Sequence, residues 1–154
     1  AHAAARQARA DLLEHYGVAA DLWSATSYKK LREEAIEVER WNRLHPTAEP
    51  RIPFVSEALA DGSGPVVAVS DYMKTVPDQV GRFIPRRFVP LGTDGFGRSD
   101  TREALRSFFE VDAGHVVVAT LAALAAEGAI EPHVVDEAIK RYGIDADVAD
   151  PRTR

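Results

Sequence analysis

Apolar residues recur at helical spacing from the first residues. Ala3, Ala4, Ala8, Leu12 and Tyr16 share one side of a predicted helix over 1–16, and Gly17 stands where a left-handed residue ends it. Val18 to Trp23 is expected to form a strand. A second helix is predicted from Tyr28 to Leu44, with Leu31, Ala35, Val38 and Trp41 or Asn42 along one side. Lys29, Glu33, Glu37 and Arg40 lie along another, and Pro46 stops it. Pro46, Pro50 and Pro53 follow closely, so Thr47 to Pro53 reads as a stiff surface connection. Phe54 to Ala60 is expected to be a short helix, Asp61-Gly62-Ser63-Gly64 a turn and Pro65 to Val69 a buried strand. Ser70 or Asp71 can cap the next predicted helix, Tyr72 to Phe83, in which Pro77 must sit in a first turn or bend the axis. Phe88 to Leu91 gives a further short strand. It leads into a loop with three glycines, Gly92 to Asp100. Three helices then follow: Thr101 to Phe109, Gly114 to Glu127 and Pro132 to Tyr142. Strands alternating with helices predict an α/β sheet domain, with the trailing helices over its face or edge.

Length and composition add bounds. With 154 residues, 45% apolar and 28% charged, the chain is expected to be one globular domain. The net charge of −5 offers no field that would gather nucleic acid. Without cysteine there are no disulfides or thiolate metal sites, which suits a cytoplasmic setting. The apolar run from Val116 to Ala126 is shorter than the ~20 residues that span a bilayer, so no membrane anchor is expected. The opening residues contain Asp11 and Glu14 and lack an apolar block, unlike a signal peptide. They read as a helix already running, the mark of a fragment.

The loop draws attention first. Gly92 and Gly97 followed by Arg98-Ser99 nearly spell a phosphate-cradling G-x-x-x-x-G-K-[ST] between a strand and a helix. Arg98 replaces the lysine, however, and Asp100 would repel phosphate. A structural reading explains more: Asp100 caps the next helix, Glu103 reaches back in a capping box, and the glycines permit left-handed turns. A surface loop that shapes a neighbour or a channel is preferred to nucleotide binding. The interface or channel candidates are Gly92, Asp94, Phe96, Gly97, Arg98 and Ser99.

Other constellations are poorer. His2, His15, His45, His115 and His133 are scattered, with no zinc spacing; His45 is expected to cap a helix end. Asp94, Asp100, Glu110 and Asp112 fit no calcium loop, and Asp112 suits a cap. Neither Ser70 nor Ser99 lies in a nucleophile elbow, and no catalytic set emerges. The last two helices carry mixed charge without a basic stripe, which argues against a DNA-reading pair.

Longer strings carry more information. Glu39-Arg40-Trp41-Asn42-Arg43-Leu44-His45-Pro46, Pro50-Arg51-Ile52-Pro53-Phe54, Ser70-Asp71-Tyr72-Met73-Lys74 and Val89-Pro90-Leu91 through Asp100 resemble the C-terminal domain of the homodimeric pyruvate dehydrogenase decarboxylating component. The resemblance continues through Phe109 to Ala113, Val116 to Ala119 and the tail Ile144 to Asp147 with Pro151-Arg152. Transketolase shares the domain and a looser Phe96-Gly97-x-Ser99 loop, and is the alternative. The resemblance implies a thiamine diphosphate and magnesium enzyme that decarboxylates pyruvate and passes the two-carbon unit to a lipoyl group of the acetyltransferase component. Its cofactors and catalytic groups belong to other domains, so none is expected on this chain. The implied domain is a three-layer α/β/α arrangement around a mixed sheet, supporting the dimer and the active-site surroundings. Its first strand and a Gly-Ser-Gly turn would precede Ala1, so the chain is expected to lack that strand and expose a sheet edge. Implied partners are the other domains of the enzyme, a second subunit and the acetyltransferase component. A docking module for another component of the assembly, or a small-ligand domain using the glycine loop, are the readings from other classes.

Overall fold

Helix-ending and helix-starting residues define most of the elements in the computed structural model, which describes residues 1–154. Helix α1 (His2–Tyr16) ends at Gly17, whose φ of 64° is the left-handed conformation expected there. Helix α2 (Tyr28–Leu44) starts at Ser27, whose side chain accepts a bond from the Lys30 N–H. Its Glu34 carboxylate accepts from the Phe54 N–H at 3.1 Å, satisfying the start of α3 (Phe54–Ala58), which has no cap of its own. Asn42 fixes the intervening proline-rich connection, exchanging two bonds with the Arg51 backbone at 2.8 and 2.9 Å.

Strand β1 (Val66–Val69) and strand β2 (Phe88–Leu91) pair in parallel, Val66 opposite Phe88 and Val69 opposite Leu91. Parallel pairing requires a crossover, supplied by α4 (Thr75–Gly81). Pro77 lies in the first turn of α4, where no intrahelical N–H bond is lost. Because side chains alternate across a strand, Val66 and Val69 point to opposite faces. One face meets a core of Ala35, Val55, Val80, Phe83 and Ile84; the other meets Ala8, Leu12, Val116, Val117, Leu121 and Ala138. Helices therefore cover both faces of a small parallel sheet, an α/β arrangement.

The second core belongs to α1, α6 (Ala113–Ala126) and α7 (Pro132–Arg141). Asp112 caps α6 as expected: its side chain accepts from the His115 N–H at 2.9 Å and from His115 Nδ1 at 2.8 Å. The stretch Arg102–Ala126 is apolar and long enough to cross a membrane by composition. Glu110, at φ 59°, breaks it into α5 (Arg102–Phe108) and α6. Alone, the 14 residues of α6 reach about 21 Å, short of the ~30 Å hydrocarbon layer.

Three expectations are corrected here. Neither Ser70 nor Asp71 caps α4, which starts at Thr75 rather than Tyr72, with Lys74 at its N-cap and no side-chain capping bond. Val18 to Trp23 is not a strand. Val18 and Ala20 do turn inward against the α1/α6 core, with exposed Ala19 and Asp21 between them, but no neighbouring backbone forms a ladder. Asp100 does not cap α5 with Glu103. Thr101 is the cap, accepting from the Ala104 N–H at 3.2 Å, one residue later than expected, and the Asp100 carboxylate accepts from the Thr101 N–H.

Candidate functional site

The carboxyl ends of β1 and β2 lead into two loops that lie side by side, the position where open α/β sheets place their ligand and partner contacts. Ser70, buried at the end of β1, holds the first turn by accepting from the Tyr72 N–H at 3.0 Å. Three bonds tie the second loop to it. The Thr93 N–H donates to the Tyr72 carbonyl at 2.9 Å, the Thr93 hydroxyl to the Asp71 carbonyl at 2.9 Å, and the Lys74 N–H to Asp94 at 2.8 Å. The approach is so close that a side chain at Gly92 would lie 2.5 Å from the Tyr72 carbonyl oxygen. Glycine is needed there for space. At Gly95 it is needed for conformation as well, since φ is 111° and Pro151 packs against the α-carbon.

The chain end forms a strap across this loop. Pro151 is buried beside Gly95. The Arg98 guanidinium donates to the Arg154 carbonyl and stacks 4.2 Å from the Phe108 ring. Arg154 stacks on the same ring at 4.5 Å, donates to the Phe108 carbonyl at 2.6 Å and pairs with Glu110 at 3.6 Å. Asp150 and Arg152 form a bidentate pair at 2.9 Å, and the bonds from Arg152 hold the Asp150 carboxyl down to about 2.

The structure thus ties Gly92 and Asp94 to the loop after β1, and Arg98 to the strap. Phe96 projects from it, 88% exposed, with Gly97 and Ser99 on the rim. The other candidates go separate ways. His45 caps α2, donating from Nδ1 to the Trp41 carbonyl at 2.8 Å and stacking on the Trp41 ring, while Arg51 stacks 3.8 Å from that ring. The acidic residues are each committed: Asp94 to Lys74, Asp100 to Thr101, Glu110 to Arg154 and Asp112 to His115.

Comparison with known proteins gives the family. Residues 3–112 match the family model described as the transketolase-like TK C-terminal domain. The chain belongs to that family. Three relatives carry the name pyruvate dehydrogenase E1 component. The protein of Pseudomonas aeruginosa is 50% identical over 91% of this chain, that of Cupriavidus necator 52% over 94%, and that of Escherichia coli 47% over 96%. The chain spans 16% of the length of each of these relatives.

In this transketolase-like C-terminal domain the residues do not fit magnesium diphosphate. That group needs several oxygen ligands around the metal and N–H donors aimed at phosphate. Nowhere do three His, Asp or Glu side chains gather to hold an ion. Beside the loop, a cleft of about 270 Å³ presents Arg98, Asp100 and Phe108, with Arg98 already held by the strap and by Phe108. A larger cleft of about 560 Å³ between α1 and α7 is lined by His15, Tyr16, Val134, Glu137 and Arg141, again without a metal-binding donor set. Sequence reasoning did not single out Arg154, and it quoted Pro151, Tyr72 and Met73 only within the strings that carry the family resemblance, not as site candidates. Tyr72 is 69% and Met73 54% exposed. The signal available was two large apolar residues placed directly after a buried strand and a turn-forming serine.

Proposed function

We propose that the chain is the C-terminal domain, residues 1–154, of a thiamine-diphosphate-dependent pyruvate dehydrogenase component. The enzyme decarboxylates pyruvate and reductively acetylates the lipoyl group of an acetyltransferase component. The observation that carries this reading is the identity of about half the residues, over nine-tenths of the chain, with proteins bearing that name. Transketolase shares the domain family but supplies none of these three relatives, and is not favoured. Thiamine diphosphate and magnesium belong, in this reading, to the other domains of the enzyme. The chain itself is accessory and inactive alone, and the complete enzyme is a cytoplasmic homodimer that works within the multienzyme complex.

Two finer points complete the proposal. The two-stranded sheet is the centre of a larger mixed sheet in a three-layer domain, completed by a strand that pairs near Val18–Trp23; the inward alternation of Val18 and Ala20 supports this. The loop from Gly92 to Ser99, with Asp94, Phe96 and Arg98, faces the rest of the subunit or its mate. Its rigid bonding and the exposure of Phe96 support that role.

The test is turnover by the complete enzyme. Pyruvate-dependent acetylation of lipoyl groups is expected, with none from the 154-residue chain alone. A complete enzyme that ignores pyruvate and moves two-carbon units between sugar phosphates would overturn the proposal in favour of transketolase.

A further inference from the structure

The strap joins regions that the sequence keeps far apart. Residues 150–154 fold into a tight turn of their own, in which the Thr153 N–H donates to the Asp150 carbonyl at 2.8 Å and the Arg152 N–H to the Asp150 carboxylate at 2.8 Å. At one end its charges alternate with those of the two loops. The bonds from Arg152 lower the Asp150 carboxyl, and Lys74 adds to that pull; Asp150 raises the Arg152 guanidinium, and Asp94, which holds the Lys74 N–H, adds to it. In the middle, Pro151 is buried against Gly95. At the other end Arg98 and Arg154 close over the Phe108 ring, and Arg154 reaches Glu110. This closed arrangement contains costs as well as contacts. Arg154 Nε is buried without an acceptor, two guanidiniums share one ring with Glu110 the only carboxylate paired to either, and Glu110 itself is held at a left-handed φ of 59°. Each of these opposes closure.

We infer that residues 150–154 are a releasable latch with Phe108 as its catch, and that one opening event frees the glycine loop and the α5–α6 junction together. A latch differs from a set of independent surface contacts in how its parts are coupled. The turn around Asp150 and the fixed φ of Pro151 make the segment stiff, and its buried residue lies between its two ends. A stiff segment cannot lift from Phe108 while its other end stays seated between Lys74 and Asp94. The two ends therefore hold or fail as one, and whatever loosens one end loosens the other by the same factor. Closed, the latch keeps Arg98 engaged with the Arg154 carbonyl. Open, it releases Arg98 and uncovers the Phe108 ring, both on the wall of the cleft of about 270 Å³ beside the loop. The device is independent of the reaction that the complete enzyme performs.

Amide hydrogen exchange in the complete enzyme reads both ends of the latch. The Lys74 N–H, bonded to Asp94 at 2.8 Å, reports on the loops, and the Val111 N–H, bonded to the Arg106 carbonyl at 2.9 Å, reports on the junction. Arg154→Ala removes the contacts with Phe108 and Glu110, at the junction end. Arg152→Ala removes the pair with Asp150 and the charge facing Asp94, at the loop end. Each variant is expected to raise exchange about tenfold at both amides, the factor that corresponds to a latch weakened by about 1.4 kcal/mol. The amide of Leu121, buried in the middle of α6, is expected to keep its rate. A rise confined to the amide beside the substitution would show independent contacts and overturn the inference, as would unchanged exchange at both. An equal rise at Leu121 would overturn it too, because the strap would then support the whole domain rather than open from it.

Discussion

Replacing Gly92 by alanine tests whether the two loops are held at the separation described. The added methyl would stand 2.5 Å from the Tyr72 carbonyl oxygen, 2.8 Å from the Lys74 nitrogen and 3.0 Å from the Met73 carbonyl carbon. Non-bonded carbon contacts settle nearer 3.5–4.0 Å, so the backbones must part by about 1 Å. The atoms in the way are backbone and cannot swing aside. A shift of that size carries the Thr93 to Tyr72 bond from 2.9 Å to about 3.9 Å, beyond hydrogen-bonding distance. Overpacking costs about 1–3 kcal/mol and the lost bond about 1 kcal/mol, together about 2–4 kcal/mol.

The assay is amide hydrogen exchange at Thr93 in the complete enzyme, where local opening free energy sets the rate. At about 1.4 kcal/mol per factor of ten, exchange is expected to rise by about 30- to 700-fold. Gly97→Ala is the control. It lies in the same loop, has no atom within 4 Å of the new carbon and has no positive φ. Its expected effect is nil or a stabilisation of about 0.4–1 kcal/mol through a less flexible unfolded chain. That unfolded-state contribution is common to both substitutions, so their difference isolates the clash. Equal exchange rates in the two variants would refute the close approach of the loops.

Asp112→Ala is expected to destabilise the domain by about 1 kcal/mol through loss of the α6 cap, as measured by thermal unfolding. Burial pushes the Asp112 carboxyl up, but the bonds from the His115 ring and backbone outweigh it and hold it below its ordinary value. Its contribution is therefore present above the ordinary carboxylate range and fades as pH falls through the depressed value; Asp112→Asn should flatten that acid limb. In the first turn of α6, Gly114 leaves room for the Tyr142 ring, and a methyl there would lie 2.9 Å from Cγ. Gly114→Ala is expected to cost about 1–3 kcal/mol, and Tyr142→Phe, which removes the 3.0 Å bond to Asp11, about 1 kcal/mol. Because burial and the bond to Asp11 both raise the Tyr142 hydroxyl, that bond should persist through neutral and mildly alkaline pH.

Helix ends were legible because their determinants are local. Gly17 takes positive φ and Asp112 reaches an N–H three residues away, and Pro77 sits in a first turn once the helix begins at Thr75. The strand expected at Val18–Trp23 shows where such reading stops. Its period-two burial is real at Val18 and Ala20, but a strand exists only when another backbone pairs with it, and pairing is not encoded within the segment. The three loop glycines make the same point more finely. All three looked like permits for left-handed turns, yet only Gly95 has positive φ. Gly92 is small because Tyr72 to Lys74, about 20 residues earlier, press against it, and Gly97 meets neither demand. The strap is the extreme case, since Arg98 and Arg154 meet across 56 positions. Candidate residues Gly92 to Ser99 were therefore found from their turn chemistry, whereas Tyr72, Met73, Pro151 and Arg154 emerge only when the fold sets distant segments side by side. The local signals build the turns of this loop, and the non-local contacts with Tyr72, Lys74 and Pro151 fix where its first half lies.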